Sequence, residues 1–287
     1  MFKKTSIGTA VYLHPLLKEF KEVSEGAGMG DKGCRFNEEK LEKLLSKMDI
    51  REGMKAKFFL SILGLCESSG ERLLVFSQYR LPLKFMERLV VHTKGWRVGK
   101  EIFMITGESS YEERERSMER FNSSADAKVF FGSIKACGEG ISLVGTSSIL
   151  IMDVHLNPSV TRQAIGRAFR PGQVRKVFTY RLVASDSPEE ENYNTSCRKE
   201  LVSKMWFEWR ELSGSPNFEM EAIDLNQSGD DFWGNHSLRE DVKDVYRRHR
   251  HPDNPGPAPA SVGNERKGRP SRLPCDLIGY FSLNCVD

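Results

Sequence analysis

The stretch QAIGRAFRPGQ, residues 163–173, sets Gln163, Arg167 and Arg170 at successive steps of four and three. On a helix turning about 100° per residue, the three fall within about 60° of one another. One edge of such a helix presents an amide and two guanidinium forks. The planar arginine fork matches phosphate oxygens and stays charged, so this edge suits an anionic phosphate. Val160, Ala164 and Ala168 form a stripe beside it, and Ile165 and Phe169 extend the apolar side. That stripe is the face expected to pack on a sheet. An isolated Arg-x-x-Arg is more often a solvated surface pair. The surrounding chain has to decide.

A phosphate usually needs a cradle. None of the 287 residues forms a Gly-x-x-x-x-Gly-Lys-Ser/Thr loop. What precedes the arginines is VFFGSIKACGEGISLVGTSSILIMD, in which an apolar run ends at Ser133 and a loop with Gly138 and Gly140 follows. Glycines let backbone amides approach an anion closely. A lone Gly-x-Gly is by itself usually a turn. Its place between two strands, upstream of the arginine helix, makes it more specific.

The elements that must position these residues follow from hydrophobic periodicity. Leu41, Leu44, Leu45 and Met48 recur at helical steps, and a second helix starts after Gly53. Thereafter strands and helices alternate. RLLVFSQ (72–78), EIFMIT (101–106), AKVFFGS (127–133), SSILIMD (147–153) and KVFTYRLV (176–183) read as buried strands. LKFMERLVV (83–91) and SYEERERSMERF read as helices between them, the latter opened by a Ser110–Glu113 capping box. Asn157 and Pro158 serve as N-cap and first-turn proline of the arginine helix. A long helix or helix pair follows from residue 187. This alternation predicts an α/β fold, a parallel sheet with helices on both faces and ligands at the carboxyl ends of its strands.

Composition narrows the class further. The net charge of +3 predicts no polyanion partner by itself. Six scattered cysteines without a Cys-x-x-Cys pair argue against a zinc site or a disulfide scaffold, and no metal site is expected. The opening MFKKTSIGTAVYLHPLL lacks a sustained apolar run, so neither a signal peptide nor a membrane span is expected. His14 is expected to pack or cap a turn, and Trp206, Phe207 and Trp209 to be buried against the lobe. The short basic runs near residues 246–252 and 266–272 read as solvated charge. Residues 251–287 are rich in proline, glycine and charge and are expected to form a disordered tail.

Taken together, the motifs resemble the second RecA-like lobe of superfamily-2 helicase-type motors, in the Swi/Snf-like branch of DNA translocases. LLVFSQY resembles motif IV, and ITGESSYEERERSMERFN the Gly…Arg…Phe-Asn segment. SIKACGEGISL resembles motif V, and NPSVTRQAIGRAFRPGQ motif VI with the trailing Gly-Gln of chromatin remodellers. Gly166 and Phe169 stand where the commoner remodeller form has aspartate and histidine. With TAVYLHPLL and SKMWFEWREL, this variant resembles the plant CLASSY-type remodellers of RNA-directed DNA methylation. The resemblance covers roughly residues 5–250. It divides the chain into an inter-lobe remnant and loop (1–37), the RecA-like lobe (38–185), a helical extension (186–250) and the tail (251–287).

The resemblance implies that Arg167 and Arg170 are arginine fingers on the ATP γ-phosphate and that Gln163 lies near it. Gly138, Gly140 and Ser142 would face the nucleotide or couple it to DNA. Ser77, Gln78, Gly107, Ser133 and Lys135 would grip a DNA backbone irrespective of sequence. Implied cofactors are ATP and Mg2+ in a complete two-lobe motor, with none held tightly by this chain alone. Implied partners are duplex DNA and chromatin, the N-terminal RecA-like lobe and the silencing RNA polymerase, in the nucleus. The Walker A lysine and the Asp-Glu pair of the first lobe are not in this sequence, so negligible ATPase activity is expected of this polypeptide alone. The alternative is a non-catalytic interaction or DNA-binding module.

Overall fold

The computed structural model describes residues 10–21, 38–137, 143, 146–168, 177–208, 220–222, 242–248 and 275–281. Five strands form its centre: β1 (Leu73–Ser77), β2 (Ile102–Ile105), β3 (Val129–Ser133), β4 (Ser148–Ile151) and β5 (Phe178–Ala184). They are parallel and lie in the order β2-β3-β1-β4-β5. Leu73 is in register with both Val129 and Ser148, which makes β1 the middle of the sheet. Every residue of β1 is buried, as a strand covered on both faces requires.

Side chains alternate across a strand, so the odd and even residues of β1 enter different cores. Leu73 and Val75 join Val129, Phe131 and Leu150 on one face. There they meet α2 (Met54–Ser68) through Phe59, Ile62 and Leu63, and α3 (Arg80–Lys94) through Leu83, Phe85 and Leu89. Leu74 and Phe76 join Phe103, Phe130 and Ile149 on the other face. That face is covered by α4 (Tyr111–Ser123) through Phe121, by the short α5 (Ile134–Cys137), and by α6 (Pro158–Ala168) through Ala164 and Ile165. The expected parallel sheet with helices on both faces is therefore what forms.

Local chemistry sets the helix ends. Ser110 Oγ accepts the Glu113 amide at 3.2 Å, and the Glu113 carboxylate accepts the Ser110 amide at 2.8 Å, completing the capping box at α4. Asn157 Oδ1 accepts the Ser159 amide at 3.1 Å and caps α6, with Pro158 in its first turn. Helix α3 ends at Gly95, whose φ of 68° allows its N–H to reach the Val91 carbonyl.

The amino-terminal part is tied in by His14, which is fully buried. Its Nδ1 accepts the Leu16 amide at 3.2 Å, so Nε2 carries the proton donated to the Asp49 carbonyl at 2.9 Å. It packs and caps, as expected. The short helix α1 (Glu38–Leu45) adds Leu41 and Leu45 to the same core.

Beyond β5 the described residues comprise one long helix and three further strands. Helix α7 (Pro188–Glu208) is the long helix anticipated there. The segments Met220–Ala222, Val242–Arg248 and Cys275–Phe281 form strands β6, β7 and β8. Strand β8 runs parallel to β5, pairing Phe178 with Cys275 through to Ala184 with Phe281, and β7 and β6 follow antiparallel. These three strands lengthen the sheet beyond β5. The physical reason is that β5 would otherwise expose a row of unpaired backbone groups. The aliphatic and aromatic run Leu277, Ile278, Tyr280, Phe281 suits a strand. The remainder of the tail and Trp209 lie outside the described residues, as do the side chains of Trp206 and Phe207.

Candidate functional site

In a parallel sheet all carboxyl ends leave at one edge. Here that edge gathers Ser77 and Gln78 after β1, Thr106 and Gly107 after β2, Ser133 and Lys135 at the end of β3, and Asp153 after β4. These are the segments the sequence singles out, apart from Asp153.

The residues differ in what they offer. Lys135 is exposed on α5, Ser133 is half-buried at the end of β3, and Gly107 is exposed with open space around it. The turn at Gly107 is held from beneath. The Thr106 amide donates to Ser109 Oγ at 3.1 Å, and Arg114 Nε donates to the Ser109 carbonyl at 3.0 Å. Arg114 also reaches the Thr106 carbonyl at 3.5 Å. The arginine of the Gly…Arg…Phe-Asn segment thus builds the turn that presents Gly107. Next to it, an ion pair between Arg80 and Glu108 bridges a cleft of about 350 Å³ running between α3, β2 and α4.

Ser77 and Gln78, both expected on a DNA backbone, have polar groups turned toward Asp153 and Val154. Ser77 is fully buried and its hydroxyl donates to Asp153 Oδ2. The Gln78 amide donates to the same carboxylate at 2.9 Å, and Gln78 Nε2 donates to the Val154 carbonyl at 2.9 Å. A buried carboxylate without donors would be very costly, and these two residues supply them. Their contribution to the edge is support.

Asp153 was not visible as a site residue in the sequence, where it is simply the last residue of an apolar run. Burial raises its carboxyl to about 6, against the lowering effect of the Ser77 and Gln78 hydrogen bonds and of the Lys55 charge. Lys55 is itself buried, donating to the Met152 carbonyl at 2.8 Å and to both oxygens of Glu189 at 2.7 Å. Glu189 completes the set by accepting the Ala184 amide at 2.8 Å. His155 sits in the lead-in to α6; burial lowers its pKa, with a further push from the Lys135 charge.

Helix α6 has the two faces its sequence demands. Thr161, Ala164 and Ile165 are buried, whereas Arg162, Gln163 and Gly166 are exposed. A Cβ added at Gly166 would meet no other atom of the described residues within 4 Å. Arg167 lies in the helix one turn beyond Gln163, on the same edge by helical periodicity. Its side chain lies outside the described residues, as do Arg170, Gly138, Gly140 and Ser142. Arg162, next to Gln163, is drawn away into an ion pair with Glu200 of α7. No group of three or more His, Cys, Asp or Glu side chains suited to a metal occurs among the described residues. No helix among them is long and apolar enough to cross a membrane.

Residues 54–172 match the family model of the helicase conserved C-terminal domain. Residues 54–172 thus carry a helicase conserved C-terminal domain, similar to those of SNF2 proteins. The chain is 38% identical over 199 residues to the SNF2 domain-containing protein CLASSY 3 of Arabidopsis thaliana, covering 69% of this chain and 14% of that protein. Identity to CLASSY 1 of the same plant is 34% over 193 residues, 66% of this chain and 15% of the relative. The Transcriptional regulator ATRX homolog of Drosophila melanogaster is 30% identical over 203 residues, 63% of this chain and 16% of the relative. The chain thus spans 14–16% of the length of these relatives. Among solved structures, the C-terminal part of the Fun30 ATPase domain aligns with a TM-score of 0.49 and 22% identity, covering 63% of this chain and 57% of that one.

Proposed function

We propose that this lobe is one half of an ATP-dependent DNA translocase of the chromatin-remodelling type. It supplies charged groups to an ATP site and a track for the DNA backbone. The observation that supports the reading is the exposed side of α6, on which Gln163 is exposed and Arg167 follows one helical turn on. Arg167 and Arg170 would hold the terminal phosphate as arginine fingers, with Gln163 sensing its presence. Bound ATP with Mg2+ would supply the free energy of phosphoryl hydrolysis. Gly138, Gly140 and Ser142 would line the nucleotide side of the edge.

Gly107, Ser133 and Lys135 would face a phosphodiester backbone. Contacts to phosphate carry no sequence information, which suits a protein that must move along any duplex. Gln78 would take part through the turn it stabilises. The likeness to CLASSY proteins supports a place in RNA-directed DNA methylation in the nucleus, next to a silencing RNA polymerase.

Because the Walker A lysine and Asp-Glu pair are not in this sequence, the phosphate awaited by α6 would be bound by a separate lobe. Purified chain mixed with duplex DNA is expected to hydrolyse ATP at background rate. Strong DNA-stimulated hydrolysis, abolished by Arg167→Ala, would show that the chain holds a whole site and would contradict the half-site reading.

A further inference from the structure

Two segments that leave the sheet at the same edge are joined through one side chain. Asp153 is 3% exposed and lies 75 residues from Gln78 in sequence. Its Oδ2 accepts the Ser77 hydroxyl and the Gln78 amide, the latter at 2.9 Å. Its Oδ1 accepts the same amide at 3.2 Å and Gln78 Nε2 at 3.3 Å. Gln78 Nε2 continues to the Val154 carbonyl, and Ser77 Oγ accepts the Tyr79 amide at 3.0 Å. The polar groups of the turn after β1 are thus committed to residues 153 and 154.

From Asp153 the chain passes directly into the cap of α6. That helix has a second anchor, since Ser196 Oγ donates to the His155 carbonyl at 3.0 Å and Arg162 pairs with Glu200. Those contacts hold α6 to α7. Asp153, together with the Val154 carbonyl, reaches across to the turn that starts α3. A neutral acceptor would close a merely local turn without burying a charge, whereas a carboxylate takes several donors at once.

We propose that Asp153 is a positioning residue that clamps the turn after β1 to the lead-in of α6, so that the two segments move as one. Its functional meaning rests on the motor reading above: the clamp passes a displacement of the DNA-facing edge to the helix that carries the phosphate-seeking groups. The mechanical coupling itself stands independently of that reading.

Amide hydrogen exchange on the full 287-residue chain near neutral pH tests the clamp, comparing Ser77→Ala and Asp153→Asn with the wild type. Loss of the Ser77 hydrogen bond is expected to speed exchange by about tenfold both at 78–82 and at 161–165, with α4 unchanged as the internal control. Faster exchange at 78–82 with 161–165 unaffected would overturn the proposal. If Asp153→Asn fails to fold, the milder Ser77→Ala decides alone. Duplex-DNA binding by the same wild-type protein separates the two claims. A chain that does not bind DNA removes the motor reading, whereas uncoupled exchange removes the clamp.

Discussion

Lys55 and Glu189 stand 134 residues apart in sequence, yet the lysine ammonium meets both carboxylate oxygens at 2.7 Å in the protein interior. Both side chains are about 95% or more buried, and the third donor of Lys55 reaches the Met152 carbonyl. The pair therefore ties α2, the end of β4 and the start of α7 together directly behind the candidate site.

Breaking that pair from one side leaves a buried charge without compensation. Lys55→Ala is expected to destabilise the fold by about 3–5 kcal/mol, measured by urea unfolding. Combining it with Glu189→Gln should cost clearly less than the sum of the single changes, because the orphaned charge is then gone. Additive losses would mean that the two side chains do not act as a pair.

Asp153 gives a pH signature. Its carboxyl titrates at about 6 in the folded protein against 3.8 in its ordinary state, with burial as the main cause. Between those values the unfolded chain is ionised while the folded one still holds the proton. The group's contribution is therefore fully present below pH 4 and lost as pH rises through 6, by about 3 kcal/mol. Wild-type stability should fall relative to Asp153→Asn across that window, as followed by denaturant midpoints at successive pH values. A constant difference would contradict the raised titration.

Gly132 lies in β3 where a Cβ would come within 2.5 Å of Cys137 Sγ and 2.9 Å of Phe76 Cε1. Gly132→Ala should cost about 1–3 kcal/mol through overpacking, read as a lowered unfolding midpoint. It should also disturb the β3–α5 bend that presents Lys135.

At the other flank, Ser110→Ala removes the side-chain half of the α4 capping box. A loss of about 1 kcal/mol is expected in the same unfolding assay, and Ser110→Asp should recover most of it.

Much of the frame was legible because local signals there agree with the tertiary structure. The apolar runs predicted as strands contain four of the five central strands whole and the fifth up to Val183, and the capping box at Ser110 and the Asn157–Pro158 start of α6 sit where the chain announces them. The faces of α6 also follow from its periodicity. What sequence could not disclose is pairing at a distance. Lys55 looks like a solvated lysine in a helix, and Asp153 like a strand end. Only the fold brings one to Glu189 and the other to Ser77. For the same reason the sequence places Ser77 and Gln78 at a strand end without disclosing that their partner lies in another strand's exit. The strand at 275–281 has a suitable local run, but its pairing with β5 is a contact that no local pattern records.

The central claim is that the carboxyl edge of this lobe grips a DNA backbone without regard to sequence. Binding of the purified chain to two unrelated duplexes, measured by fluorescence anisotropy across a salt series, tests it most directly. The expected result is equal affinity for both duplexes, falling linearly on a log–log plot, with Lys135→Ala lowering the slope by about one. An affinity that stays flat as salt rises would contradict the account.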